Sequence, residues 1–222
     1  MIGRHELKYY INYIDYTALR TRLRLLAIPD KNADDDGGYQ IRSLYFDNYS
    51  DKAVMEKLSG QSRREKFRIR YYNNDLSFMR LEKKSKTNQL VYKENAHITA
   101  EQCKQLLAKD YKFLISSDNP LLTELYTKIR YQNLRPKNIV EYRREVYTYK
   151  AGNVRVTLDS SIKTSNSVRD FLDSKQMLIL AANAIILEIK YDGFLPDVIR
   201  DLVQIDCRNQ TEFSKYVVAR LV

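Results

Sequence analysis

Between Arg63 and Tyr72 the chain sets Arg64, Lys66, Arg68 and Arg70 at every second position, with Phe67, Ile69 and Tyr71 interleaved. Period two is the mark of a β-strand with two unlike faces, because successive side chains leave a strand on opposite sides. One face is apolar and the other carries four like charges. A fold that accepts this strand must bury the first face. It must also either solvate the second or supply it with anions.

The same alternation recurs at residues 6–11, 39–46, 78–86, 90–97, 138–149, 154–159 and 184–191. With 63–72 that makes about eight strands, enough to close a small barrel. Helical signals lie between them. Asp15 is placed to cap a helix over 16–26, whose Leu19, Leu23 and Leu26 share a face. Ser50 can cap 51–58, with Gly60 as a stop. Thr99 and Gln102 form a capping-box pattern ahead of 103–107. Pro120 and Pro196 open helices over 121–132 and 197–203. Residues 34–38 read as a solvated loop. With four prolines, six glycines and no low-complexity stretch or repeat, a single domain over 1–222 is expected.

The charge balance bears on partners. Lys plus Arg total 38 against 28 Asp plus Glu, a net charge of +10, in a chain that is 44% apolar and therefore globular. Such a surplus points to a polyanion: nucleic acid, an anionic membrane or a phosphate-rich small molecule. A solvated outer face accounts for one basic strand. It accounts less well for several, since their other faces are apolar and the intervening helices can cover those. The basic faces are then free to line an interior that holds water and anions. Arg binds phosphate there by bidentate hydrogen bonds and Lys as a point charge. Carboxylates lie in phase with the cations: Glu6 with Lys8, Glu82 with Lys84, Glu188 with Lys190. Each either pairs with a neighbouring cation or holds Mg²⁺ or Mn²⁺, which take hard oxygen ligands. Glu188, flanked by Ile185, Ile186, Leu187 and Ile189, is the favoured metal ligand.

Other classes find little support. Cys103 and Cys207 have no metal-ligand spacing and read as reduced bystanders. The N-terminus shows no signal-peptide pattern. The apolar run 178–187 is far short of the roughly 20 residues of a membrane helix, so a cytoplasmic protein with no membrane span is expected. There is no phosphate-binding Gly-rich loop, G-x-S-x-G or H-E-x-x-H. Phosphoryl transfer needs none of these, because positioning and charge neutralisation supply most of its catalysis. A single-strand nucleic-acid binder would want exposed aromatics beside the basic patch; the 18 tyrosines keep that reading open, though many fall on apolar strand faces.

An ordered series of motifs adds a resemblance. It runs through Arg4-His5-Glu6-Leu7-Lys8-Tyr9, Ile41-Arg42-Ser43-Leu44-Tyr45-Phe46-Asp47, Lys57 with Gly60, and Arg64-Glu65-Lys66-Phe67-Arg68-Ile69-Arg70. It continues through Leu81-Glu82-Lys83-Lys84, Val140-Glu141-Tyr142-Arg143-Arg144 and Arg155-Val156-Thr157-Leu158-Asp159. It closes with Leu187-Glu188-Ile189-Lys190-Tyr191, Leu195-Pro196 and Phe213-Ser214-Lys215-Tyr216. This series resembles the VTC domain, the polyphosphate polymerase domain of the triphosphate tunnel metalloenzymes, over about residues 3 to 220. The resemblance implies an α+β fold in which an eight-stranded antiparallel β-barrel forms a tunnel with helices packed outside. It implies transfer of the γ-phosphate of ATP, or of another triphosphate, to inorganic polyphosphate with Mn²⁺ or Mg²⁺. By motif, Lys8, Arg70 and Arg155 are the catalytic candidates. Lys57, Arg64, Lys66, Arg68, Lys84, Lys86, Arg144, Lys190 and Lys215 are the phosphate-binding ones, and Glu188, Glu6 and Glu82 the metal-binding ones. A tunnel triphosphatase or polyphosphatase and a non-catalytic polyphosphate-binding module are the alternatives. Arg4 replaces the first Glu of the E-x-E-x-K opening of CYTH triphosphatases, which argues against that branch. Glu212 stands where relatives often carry a basic residue, and Lys83 where an apolar one is usual.

Overall fold

A computed structural model describes residues 4–88, 90–175, 178–205 and 208–222. The strands are β1 (His5–Ile11), β2 (Ile28–Pro29), β3 (Gly38–Asp47), β4 (Arg63–Tyr72), β5 (Asp75–Thr87), β6 (Leu90–Ile98), β7 (Arg135–Tyr149), β8 (Val154–Ser165), β9 (Ile179–Ala182) and β10 (Ile185–Tyr191). The helices are α1 (Tyr13–Leu26), α2 (Lys52–Leu58), α3 (Ala100–Leu107), α4 (Lys112–Ile115), α5 (Pro120–Gln132), α6 (Asp197–Val203) and α7 (Lys215–Arg220). Hydrogen bonding orders the strands β1-β10-β8-β7-β3-β4-β5-β6, with β2 on β7 and β9 on β8. Every pair with a described register runs antiparallel.

The α+β class and the antiparallel pairing are as expected; the closed eight-stranded barrel is not. The sheet has ten strands and two ends, and β1 is not paired with β6 among the described residues. A local reason is visible at β1. Its outer edge is taken by a later stretch of chain, through a Tyr9–Gln210 bridge and a 2.8 Å bond from the Thr211 N–H to the Lys8 carbonyl.

The chain divides into two compact units. Unit 1 comprises Met1–Gln40, Tyr142–Ile162 and Ala182–Ser214; unit 2 comprises Ile41–Glu141, Lys163–Ala181 and Lys215–Val222. In unit 1 the apolar faces of β8 (Val154, Val156, Leu158) and β10 (Leu187, Ile189) pack with Leu19 and Leu23 of α1 and Ile199 and Val203 of α6. In unit 2, Phe67, Ile69 and Tyr71 of β4 pack with Met79 and Leu81 of β5, Cys103 and Leu106 of α3 and Leu125 of α5. Each buried Leu or Phe contributes about 1.5–3 kcal/mol, so these apolar faces fix which face of each strand is left for charge.

Helix starts follow the sequence with small corrections. Helix α1 begins earlier than expected because Asn12 is its cap; Asp15 is the third helical residue and completes a capping box. Thr99 and Gln102 form the expected box on α3. Asp51, not Ser50, is the N-cap of α2, in the left-handed region at φ 50°. Cys103 is buried in the unit 2 core, where burial pushes its thiol up to about 12. Cys207 lies outside the described residues.

Candidate functional site

Unit 1 gathers its charged residues on the strand faces opposite its core. On β1 these are Glu6 and Lys8, on β10 Glu188 and Lys190, on β8 Arg155 and Asp159, and on β7 Arg144. The register sets Glu6 opposite Lys190 and Lys8 opposite Glu188. The Lys8 ammonium lies 2.7 Å from Glu6 Oε1 and 3.5 Å from Glu188 Oε1. Burial would lower its pKa, but Glu188 and Glu6 more than offset this and hold it above the ordinary lysine value. Glu188 also meets Lys190 and Arg144, each at 3.5 Å. Burial opposes its charge, yet Lys190, a hydrogen bond with Glu6, Lys8 and Arg144 together hold its carboxyl well below the usual range. Arg144 grips the fully buried Asp159 with two bonds of 2.6 and 2.7 Å. Arg155 is more open: Nη2 donates to the Tyr39 hydroxyl at 3.2 Å and lies 3.9 Å from Asp30.

Unit 2 builds a second cluster from β4, β5 and β6. The basic face of β4 is not a solvated surface: Arg64, Lys66 and Arg68 are half-buried and Arg70 is 5% exposed. Register stacks like charges across the strands. Lys66 faces Lys84, which faces Lys93; Arg64 faces Lys86; Arg70 faces Arg80. Directly opposed like charges destabilise a sheet. Partial compensation comes from Glu82. It accepts from Arg68 Nε at 2.7 Å, lies 2.7 Å from Lys93 Nζ and 3.9 Å from Arg70 Nη1, and is held below the carboxylate range against the effect of burial. The ammonium of Lys93 stays below its ordinary value: burial lowers it, Glu82 opposes, and Arg68 and Arg70 add to the lowering. Strand β3 supplies Ser43, which accepts from Arg70 Nε at 3.1 Å, and Tyr45, whose hydroxyl accepts from Arg68 at 3.0 Å. Tyr45 is 2% exposed and stacks on Tyr216. Burial pushes its hydroxyl up, but Arg68, Lys66 and Arg70 outweigh that and bring it to about 7.

The expected residues thus fall into two sets. Lys8, Arg144, Arg155, Lys190, Glu6 and Glu188 belong to unit 1. Arg64, Lys66, Arg68, Arg70, Lys84, Lys86 and Glu82 belong to unit 2. Lys57 on α2 and Lys215, which opens α7, are half-buried and lie off the strand rows. Two expected departures have local explanations. Arg4 pairs with Asp192 at 2.8 Å, and Lys83 turns to the helix side of β5, where Glu124 holds it at 2.6 Å. Sequence reasoning gave no site role to Lys93, Tyr45 or Asp159. Lys93 was findable as the basic residue in phase with Asn95 and His97; the other two stood inside motifs whose cations drew the attention.

Among the described residues no group of three or more His, Cys, Asp or Glu forms a metal cage. Mg²⁺ and Mn²⁺ bound with substrate phosphates do not require one, since one or two carboxylates suffice. Glu6 and Glu188 fit that description. They share the Lys8 ammonium, at 2.7 and 3.5 Å, and two carboxylates drawn to one cation are favourably placed for a second one. Glu82 has a comparable setting, with Arg68, Arg70 and Lys93 around it as Lys8, Lys190 and Arg144 surround Glu188.

The model of the VTC domain matches residues 3–222. The chain belongs to the VTC domain family. None of the curated proteins matches it in sequence. Among solved structures, this VTC domain is similar to a Bacillus halodurans protein provisionally called an adenylate cyclase, at 14% identity and a TM-score of 0.49, covering 85% of this chain and 82% of the other. It is also similar to two Pyrococcus horikoshii proteins, each at 15% identity over 90% of this chain. Their TM-scores are 0.43 and 0.44, and 84% and 85% of their own lengths are covered. Among the described residues of the VTC domain, no helix is long and apolar enough to cross a membrane.

Proposed function

We propose that this VTC domain is a metal-dependent phosphotransferase that moves the γ-phosphate of ATP onto a growing inorganic polyphosphate chain. The observation that carries the reading is the half-buried basic face of β4 and its neighbours, where lysine is set against lysine across three strands. So many cations gathered on one sheet face favour a polyanionic ligand. In the transfer, a terminal oxygen of the acceptor chain attacks the γ-phosphorus, the bond to the β-phosphate oxygen breaks, and ADP leaves. No protein nucleophile is needed.

Lys8 and Arg155 of unit 1 are assigned to the transferred phosphate, and Arg70 of unit 2 keeps the catalytic role that the family resemblance implies. Arg64, Lys66, Arg68, Lys84, Lys86, Arg144 and Lys190 are assigned to the remaining phosphate charge, and Lys93 joins them. Glu188, Glu6 and Glu82 are the candidate ligands for Mn²⁺ or Mg²⁺, and Glu82 also pairs with Arg68 and Lys93. When bound, the metal ion supplies neutralisation of phosphate-oxygen charge.

The test is to incubate purified protein with ATP and Mn²⁺ and resolve the product on a gel. Long polyphosphate is expected. Orthophosphate alone would make the protein a hydrolase, and tight triphosphate binding without turnover would make it a binding module. Glu188→Gln should weaken the dependence of the rate on Mn²⁺ concentration; an unchanged metal titration would remove Glu188 from that role.

A further inference from the structure

Thr157 is 1% exposed and occupies the charged face of β8, with Glu188 opposite it on β10. Its neighbours Val156 and Leu158 belong to the apolar core on the other face. Among the described residues the Thr157 hydroxyl has no hydrogen-bond partner. A buried polar group left unpaired is costly, and each case in a native fold calls for a cause. Two residues earlier on the same face, Arg155 presents a second orphan: its Nε is buried and has no partner among the described residues, while its Nη2 is engaged by Tyr39. Positions i and i+2 of a strand lie about 6.6–6.8 Å apart on one side, a span that a phosphoryl group and its oxygens can bridge. The pair also fixes the kind of ligand. A guanidinium N–H can only donate, so whatever satisfies Arg155 must accept hydrogen bonds, which a metal ion cannot do.

We infer that Thr157 is a further phosphate ligand, its hydroxyl donating to a non-bridging oxygen of a phosphoryl group that the Arg155 Nε–H also binds. The inference rests on the phosphate reading of the unit 1 cluster and adds to it a neutral donor. A hydroxyl adds hydrogen-bonding geometry without adding charge. It therefore discriminates a tetrahedral phosphoryl oxygen from a simple counter-ion where lysines cannot.

The experiment uses Thr157→Val and Thr157→Ser with inorganic triphosphate as the probe, so that no turnover is required. Valine keeps the shape and the strand preference and removes the hydroxyl. Unliganded Thr157→Val should melt at or above the wild-type temperature, because a buried orphan has gone. Its triphosphate affinity, read from the ligand-dependent melting shift, should fall by about 10- to 100-fold. Thr157→Ser should recover most of that loss. A valine variant that melts lower yet binds triphosphate as wild type does would overturn the assignment and make the hydroxyl structural. If wild-type protein itself shows no triphosphate shift, the phosphate reading of the cluster fails and this inference falls with it. If wild type shifts and the valine variant shifts equally, the assignment of Thr157 falls alone.

Discussion

In unit 1 the cations meet carboxylates. Lys8 is set against Glu188 and Glu6, Lys190 against Glu6 and Glu188, and Arg144 against Asp159. In unit 2 the rows put Lys66, Lys84 and Lys93 side by side, and Arg64 beside Lys86. Each unit has an exception: Arg155 lies opposite Lys190 in the first, and Arg68 opposite Glu82 in the second. The same residue types thus serve two purposes. An ion-paired cluster is pre-organised, and its members hold one another in position before any ligand arrives. A cluster rich in opposed like charges is only partly compensated by its one central carboxylate, Glu82, and an incoming anion would relieve it further.

The largest expected effect treats the two clusters alike. Lys8→Ala and Arg70→Ala should each lower the rate of ATP-dependent polyphosphate formation by roughly 10²–10³-fold, the usual cost of losing one charge-stabilising contact in a transition state. Activity that survives both changes would break the assignment of either cluster to catalysis.

Stability should separate them. Arg144→Met strips Asp159, which is fully buried, of its two bonds from Arg144. Removing one partner of a buried pair costs about 3–5 kcal/mol, so the denaturant midpoint should drop sharply. A midpoint close to wild type would show that Asp159 finds another partner and that the unit 1 cluster is less tightly built.

Next comes a pH effect confined to unit 2. The Tyr45 hydroxyl is brought from an ordinary value of 10.0 to about 7. Its folded value is the depressed one, so the phenolate is favoured by folding. The stability it contributes is fully present above pH 10, declines as pH falls, and is lost below about 7. Between those limits the unfolded chain holds one more proton. The stability difference between wild type and Tyr45→Phe should therefore grow with pH by up to about 1.4 kcal/mol per unit. Ultraviolet titration of phenolate absorbance should show the same ionisation near neutrality and lose it in the variant. A difference that is flat from pH 7 to 10 would rule out a charged Tyr45.

The smallest effect is the most diagnostic of stored repulsion. Lys84→Met removes the middle member of the lysine row. Unliganded protein should gain about 0.5–1 kcal/mol, while affinity for polyphosphate falls and becomes less sensitive to salt. A loss of stability in the unliganded protein would mean that the row is already compensated.

Much of this was legible in the sequence, for reasons that differ along the chain. The period-two pattern of β4 located that strand to the residue, since burial of Phe67, Ile69 and Tyr71 leaves a single acceptable phase. The two-residue β2 and four-residue β9 are too short to show a period. The N-cap of α1 was misplaced because Asp15 and Asn12 are both good caps three residues apart, and the capping box uses each of them. Barrel closure was an inference from strand number. It failed because the edge of β1 is occupied by residues near Gln210, a contact between distant parts of the chain. The like-charge rows could not be read at all. They depend on register, which brings Lys93 opposite Lys84 and which no single strand announces. The in-phase carboxylates offered Glu6 as a partner for Lys8, as found, but that Asp159 holds Arg144 was not legible, because it depends on the pairing of β7 with β8.

The stretch that lies along β1 has a consequence for handling the protein. An uncovered edge strand offers a row of backbone donors and acceptors to any other chain. Here the Thr211 N–H bonds the Lys8 carbonyl, and the Phe213 carbonyl lies 3.5 Å from the Lys8 ammonium. One short run of backbone therefore both blocks intermolecular strand addition and steadies the lysine assigned to chemistry. Substitutions that loosen it should appear as turbidity and as lost activity together, so specific activity has to be measured on the fraction that remains monodisperse.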